Sequence, residues 1–449
     1  MSIDELHIAA QVSASATARV RLLGDRRVSW FEFTSSDAAA PLTQEMTMVM
    51  ERAAQMALEE RIPLVMTISS AGADIGQGIA ALDGWGRVAR TLTKCSGRVP
   101  TFAILDGPAV SGPALLLGLV DFVVATERGY AFVNGPVMVE QFTGIDITKD
   151  ELGSADALAQ YAGLPVAVVT DRDAAAAAVE DLLAYLPDHI DAEPPAWPDL
   201  DPVDRECPEA GALIPDSTTG GYDVRQVAEA IVDDESFLEL RGRWAGNVVT
   251  AFATVGGRPV GIVANQPMIL AGTLDIPASQ KAARFVAFCD AYNLPILTLV
   301  DTPGFYPGKD LEWRGMIRHG AQLVYAYGRA TVPRVCVIVR KSYGGAYIVM
   351  DSKTMGNDVC LAWPWAELAV MGAGQAAAIL QRRASDDERA AFEADYQERL
   401  LNPYVAAERG YVDSVIDPAE TRREVGAAFA MLANKRERLP HRKHGNSPL

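Results

Sequence analysis

Tyr343-Gly344-Gly345-Ala346-Tyr347 ends an apolar run that begins at Pro333, and small residues there lead into a stretch suited to a helix. A glycine pair at such a strand-to-helix junction lets successive N–H groups point at one spot, and the helix N-terminus adds positive potential. That arrangement stabilises an oxyanion. It suits the enolate of a thioester, where charge develops on a carbonyl oxygen and one lost donor costs about 3 kcal/mol. Glycines of this kind also serve close helix–strand packing with no ligand at all. A second elbow weighs against packing alone. Pro100 to Leu115 reads PTFAILDGPAVSGPAL and Pro333 to Ile348 reads PRVCVIVRKSYGGAYI, the same pattern met again further along. Ile62 to Met66 likewise matches Leu294 to Thr298, and Gly24 to Val28 matches Gly256 to Val260. The three offsets agree to within a single position. So constant an offset implies duplication of a whole domain, and its length, about half the chain, excludes a short solenoid repeat. Two elbows imply two oxyanions.

Other chemistries find little support. The chain has no G-x-S-x-G, no G-x-x-x-x-G-K-[ST] and no H-E-x-x-H. Of the histidines, His7, His441 and His444 lie near the ends; His441-x-x-His444 reads as tail rather than metal site, and no metal is expected. His319 follows Arg318 on a helical pattern, as a polar face or a wall of a cleft, and His189 belongs to no motif. No catalytic base stands out, which fits a reaction whose base comes from substrate or cofactor. Cys95, Cys207, Cys289, Cys336 and Cys360 are scattered without a C-x-x-C, so they read as free thiols in a reducing cytoplasm. A net charge of −18 opposes binding to nucleic acid or an anionic membrane. MSIDELH lacks a signal-peptide core, and Gly107 to Val120 is broken by glycine and proline, so no membrane segment is expected.

The elements that must position the elbows follow from hydrophobic period. Strands are predicted at Arg19 to Leu23, Val28 to Phe33 and Leu64 to Ser69, with a helix from Glu45 to Glu60. The second half repeats the order: strands near Val248 to Thr254, Pro259 to Ala264, Ile296 to Asp301 and Val335 to Arg340, helices at Ser279 to Tyr292 and Met316 to Tyr327. Strand–helix–strand order means an α/β fold with parallel sheets. Ala174 to Leu186 reads as a helix and Asp386 to Leu401 as a charged one; the basic tail Lys435 to His444 reads as solvated. The proline- and acid-rich stretch after Leu186 reads as a linker, giving domains 1–187 and 224–449 joined by 188–223.

The second half resembles the carboxyltransferase (beta) subunits of biotin-dependent acyl-CoA carboxylases, of the actinobacterial acetyl/propionyl-CoA type, within the crotonase-like superfamily. The blocks that carry the resemblance are GRPVGIVANQP (Gly257 to Pro267), AGTLD (Ala271 to Asp275), KAARFVAFCDAYNLPILTLVDTPGFYPG (Lys281 to Gly308), RKSYGGAYIVM (Arg340 to Met350), LNPYVAAERGYVDSVIDP (Leu401 to Pro418) and the ending KHGNSPL. The resemblance implies two crotonase-like (ClpP/crotonase) domains with twisted sheets flanked by helices. It also implies a hexameric ring, a trimer of dimers, with each site built between one subunit's first domain and another's second. Carried over by position, Gly345 and Ala346 would hold the ureido oxygen of carboxybiotin, with Gly304 and Phe305 on the biotin side. Ser111 and Gly112 would hold the thioester enolate. Ala71, Gly72, Tyr343, Gly344 and Ile348 would contact the acyl-CoA substrate. In the family the residue after G-G-A-Y influences acyl choice, and isoleucine resembles the enzymes that also take acetyl-CoA; Ile348 reads equally as core packing. Biotin would arrive on a separate carrier protein or biotin carboxylase subunit, because the chain has no A-M-K-M-type biotinyl lysine.

The first half departs from that pattern on the acyl-CoA side. S-G-G-A-R is Ser70-Ala71-Gly72-Ala73-Asp74, with an acid in place of a cation, and A-G-G-A is Val110-Ser111-Gly112-Pro113. Pro113 has no N–H, and Ser111 must adopt whatever φ the glycine held. A family histidine aligns with Leu158, Thr34 to Leu42 replaces F-G-G-S-L-G, and no counterpart of the family's N-terminal helical segment is expected. Three readings follow: a carboxyltransferase acting on a short acyl-CoA or related thioester, a biotin-independent malonyl/methylmalonyl-thioester decarboxylase, and a non-catalytic beta-like subunit of a mixed complex.

Overall fold

The computed structural model describes residues 11–12, 15–34, 40–198 and 200–448; the MSIDELH start and residues 35–39 of the Thr34 to Leu42 stretch lie outside them. The chain divides into two compact units, Met1–Pro195 and Ala196–Leu449. In the first, eight strands form one sheet: β1 (Gln11–Val12), β2 (Ala16–Leu23), β3 (Arg26–Phe33), β4 (Leu64–Ser70), β5 (Thr101–Val110), β6 (Phe122–Thr126), β7 (Tyr130–Phe132) and β8 (Pro165–Val169). Their order is β1-β2-β3-β4-β5-β6-β8, with β7 pairing β5. Only β1-β2 and β2-β3 are antiparallel; the remaining pairs are parallel. Strands covered on both faces read as near-continuous apolar runs, as β4 and most of β5 do.

The second unit repeats this sheet: β9 (Leu238–Leu240), β10 (Val248–Val255), β11 (Arg258–Asn265), β12 (Ile296–Thr302), β13 (Arg334–Tyr343), β14 (Val359–Ala362), β15 (Glu367–Ala369) and β16 (Ser414–Val415). The order is β16-β14-β13-β12-β11-β10-β9, with β15 on β13 as β7 is on β5. One irregularity also coincides. The β4–β5 register shifts between Ile68 and Ser70, and the β12–β13 register shifts between Val300 and Thr302. The duplication read from the constant sequence offset is therefore present strand for strand.

The helices lie where the apolar period places them. Gln44–Glu60 starts at Thr43, whose side chain accepts from the Met46 N–H at 3.2 Å, and ends at Arg61 in the left-handed region, φ 56°. Ile276–Ala291 starts earlier than the period implies, because Asp275 caps it through the Ala278 N–H at 2.9 Å and Pro277 suits its first turn. Each unit has its own apolar core, centred on Phe31, Met50, Met66 and Leu105 in the first and on Ile262, Leu299, Val337 and Trp363 in the second. Residues 200–223, within the stretch read as a linker, pack into the second unit: Cys207, Ala210 and Tyr222 are buried there. Buried Arg422 donates to the carbonyls of Asp201 at 2.7 Å and Pro202 at 3.0 Å.

Candidate active site

In each unit the central strand ends in a tight bend and a short helix. β5 turns into Gly112–Leu117 through Ser111, and β13 turns into Gly344–Val349. Ser111 has φ 62° and Gly344 has φ 61°, so a positive φ is reached once on serine and once on glycine. The first-turn N–H groups of a helix have no intrahelical acceptor. In the second unit these include the Gly345 and Ala346 N–H groups. In the first, the Gly112 N–H remains, Pro113 has none, and the Ser111 N–H is committed to the Phe132 carbonyl at 3.0 Å.

A glycine loop faces each elbow from the neighbouring strand. Gly72 follows β4 with φ 118° and Gly304 follows β12 with φ 145°. The Gly72 N–H donates to the Ser70 hydroxyl and the Gly304 N–H to the Thr302 hydroxyl, both at 3.4 Å. Their carbonyls accept from the N–H groups of Leu42 at 2.7 Å and Leu274 at 3.1 Å. A Cβ at Gly72 would lie 3.4 Å from the Val110 carbonyl, and a Cβ at Gly345 would lie 3.8 Å from the Phe305 ring. Thus Gly72 stands beside Val110, the residue before the first bend, and Phe305 stands beside Gly345 at the second. Tyr343 and Gly344 belong to the second bend itself. Ile348 is 37% exposed, on the open side of its helix.

The two elbows are braced differently, and sequence reasoning did not find either brace. Behind the second, buried Asp301 accepts from the Tyr222 hydroxyl at 2.8 Å, the Arg340 Nε at 3.0 Å and the Lys341 N–H at 3.0 Å. Arg340 also donates to the Gly220 carbonyl at 2.8 Å. Burial, reinforced by the Asp301 charge, holds the Tyr222 phenol well above its usual range, and burial lowers the Lys341 ammonium. Tyr343 donates to the Glu367 carboxylate, and burial together with that partner raises its phenol. Below the first elbow, buried Asp106 accepts from Arg128 Nε at 2.9 Å, Arg172 Nε at 2.8 Å and the Thr126 hydroxyl at 3.1 Å. Burial pushes its carboxyl up, but the two guanidinium groups more than offset that and hold it below its ordinary range.

Two further residues shape the first elbow. The Trp85 indole lies face-on against Gly112, with ring atoms 3.1–3.2 Å from where a Cβ would stand. Asp74, the acid in place of the family's cation, caps a short turn through the Gly76 N–H at 2.9 Å. His319 lies near Gln280 and Gln322, at 3.2 and 3.3 Å from its Nδ1.

What this geometry can do is hold an anionic oxygen on two backbone N–H groups in the second unit and on one in the first. Residues 28–447 match the carboxyl transferase domain family. The propionyl-CoA carboxylase beta chain of Saccharopolyspora erythraea is 46% identical over 413 residues, covering 88% of this chain and 76% of its own. The methylmalonyl-CoA carboxyltransferase 12S subunit of Propionibacterium freudenreichii subsp. shermanii is 44% identical over 425 residues, covering 93% and 80%. The transcarboxylase 12S crystal structure, described as a hexamer assembly with hydrolysed methylmalonyl-coenzyme A bound, aligns with a TM-score of 0.94 at 41% identity, covering 97% of this chain and 85% of that one.

Proposed function

The chain belongs to the carboxyl transferase domain family, and from that membership we propose that it moves a carboxyl group from carboxybiotin on a partner protein to the α-carbon of a short acyl-CoA, acetyl or propionyl. The observation that carries this reading is the pair of elbows in matching register, the second opening on two backbone N–H groups and the first on one, each beside a glycine loop. The second elbow suits a ureido oxygen: the side of Gly345 where a Cβ would stand has nothing nearer than the Phe305 ring at 3.8 Å. Gly345 and Ala346 hold that oxygen, and Phe305 walls the same side. Carboxybiotin, when bound, supplies both the carboxyl group and the base. Gly112 donates its N–H to the thioester oxygen as the α-proton leaves, so the enolate's charge forms against a fixed dipole. Ala71 and Gly72 flank the thioester. The protein's contribution is position and charge stabilisation, which needs no protein acid or base at the reacting carbon.

The partner is a biotin carboxylase or biotin carboxyl carrier subunit, and the chain assembles into a hexamer like its structural relative. It acts in the cytoplasm, in keeping with five free, buried cysteines. The test is to incubate the purified chain with malonyl-CoA and methylmalonyl-CoA, with and without free biotin, and to follow the decarboxylated acyl-CoA. Biotin-dependent loss of the carboxyl group supports the transferase; biotin-independent loss selects a decarboxylase instead. One observation favours a second reading, a helper subunit in a mixed ring: the single free donor at the first elbow. Absence of turnover alone, restored on mixing with a complete homologous subunit, selects that reading.

A further inference from the structure

The two elbow helices share one burial pattern, position by position. After the donor glycine come a buried residue (Pro113, Ala346), a half-buried one (Ala114, Tyr347), an exposed aliphatic one (Leu115, Ile348) and two buried ones (Leu116 and Leu117, Val349 and Met350). Leu115 is 50% exposed although both leucines that follow it are buried. It stands one helical turn after Gly112, on the same helix face as that residue. Against the same glycine stands the Trp85 indole, 3.1–3.2 Å from the place of its Cβ. Ile79 and Leu82, 79% and 50% exposed, precede Trp85 at three-residue spacing on one helix, Ile79–Cys95, so an apolar stripe runs up to that wall. At the offset that pairs Gly24 with Gly256, the counterpart of Trp85 is Ile317, 83% exposed, so the indole wall belongs to the first unit alone.

We infer that Leu115 and Trp85 wall an apolar slot around the Gly112 N–H, and that Leu115 sets the length of the acyl chain admitted there. The inference rests on the reading of the first elbow as the thioester side. An apolar slot beside a single N–H takes an alkyl chain attached to a polarised carbonyl, and it strengthens that donor by excluding water. An extra methylene meeting a branched side chain changes selectivity by about tenfold or more.

The test compares Leu115→Ala and Leu115→Phe with the unaltered full-length chain in biotin-dependent decarboxylation of malonyl-, methylmalonyl- and ethylmalonyl-CoA, resolving kcat from KM. With Leu115→Ala, kcat/KM for ethylmalonyl-CoA rises about tenfold relative to malonyl-CoA, mainly through KM. With Leu115→Phe the ratio moves the opposite way. A structural role alone lowers all three substrates alike, and unchanged ratios in both variants overturn the inference while leaving the carboxyltransferase reading intact. If the unaltered chain shows no biotin-dependent turnover with any of the three, the thioester reading of the first elbow fails and the inference falls with it.

Discussion

Ser111 and Gly344, counterparts in the two halves of the chain, both have positive φ, 62° and 61°. Glycine adopts that conformation without strain, whereas a serine there costs on the order of 1 kcal/mol. The first unit thus holds the positive φ without a glycine, and the donor two positions on is absent there: Pro113 stands where the second unit has Ala346. Pro113→Ala restores one N–H beside Gly112. Since one oxyanion donor is worth about 3 kcal/mol, kcat for biotin-dependent decarboxylation of malonyl-CoA should rise at least about tenfold. An unchanged kcat in a folded variant means that the first elbow does not carry the developing charge.

Gly345→Pro tests the other elbow. It deletes a donor N–H and constrains Gly344, whose φ of 61° is incompatible with the preference of a residue preceding proline. Carboxyl transfer involving free biotin should fall below detection. Persistent transfer would remove Gly345 from the biotin side.

Ile348 presents an apolar surface from the second elbow helix, 37% exposed among buried neighbours. Ile348→Asp exchanges that surface for a charge and should shift acceptance from acetyl-CoA towards propionyl-CoA. Carboxylation rates with the two thioesters read this directly. An identical ratio in variant and parent assigns Ile348 to packing alone.

Much of this was legible because both units place glycine and proline at matching turns: the 24/256 turns, the 63/295 strand entries and the elbows themselves. The sheet order follows from the strand–helix alternation that those turns punctuate. What could not be read was anything fixed by a partner distant in the chain. Tyr222 reaches Asp301 across 79 residues, and Asp301 reaches Arg340 across 39. No local period announces such a bridge. Trp85 is a similar case: on its helix it counts as one more apolar residue, and only its placement against Gly112 makes it a wall. Asp74 carries a signal that is local: Asp-x-Gly is a turn cap, and its carboxylate accepts from the Gly76 N–H.

The Asp301–Arg340 pair is nearly inaccessible, 2% and 5% exposed at the side chains. Removing one partner of a buried pair typically costs about 3–5 kcal/mol because the other charge is left unmatched. Asp301→Ala also strands the Tyr222 hydroxyl and the Lys341 N–H. The urea midpoint of the second unit should drop accordingly, and Asp301→Asn, which keeps the shape, should lose less. A drop of under about 1 kcal/mol shows that the pair does not brace the strand that carries the elbow.

Asp106 gives a pH dependence whose sign can be worked out. Its carboxyl titrates below the ordinary aspartate value of about 3.9, because Arg128 and Arg172 outweigh burial. Between the folded and unfolded values the unfolded chain binds more protons, so stability rises with pH through that window. The contribution is present in full above the unfolded value and is lost as pH falls through the folded one. Asp106→Asn removes it. Both guanidinium partners are well exposed, 63% and 42%, so solvent screens the pair and the difference at neutral pH should be modest, up to about 1 kcal/mol. Urea unfolding of parent and variant should show that gap above about pH 5 and a closing gap below the ordinary aspartate range. A gap that stays constant down to the lowest pH at which the protein folds would mean that Asp106 acts through its shape and hydrogen bonds rather than its charge.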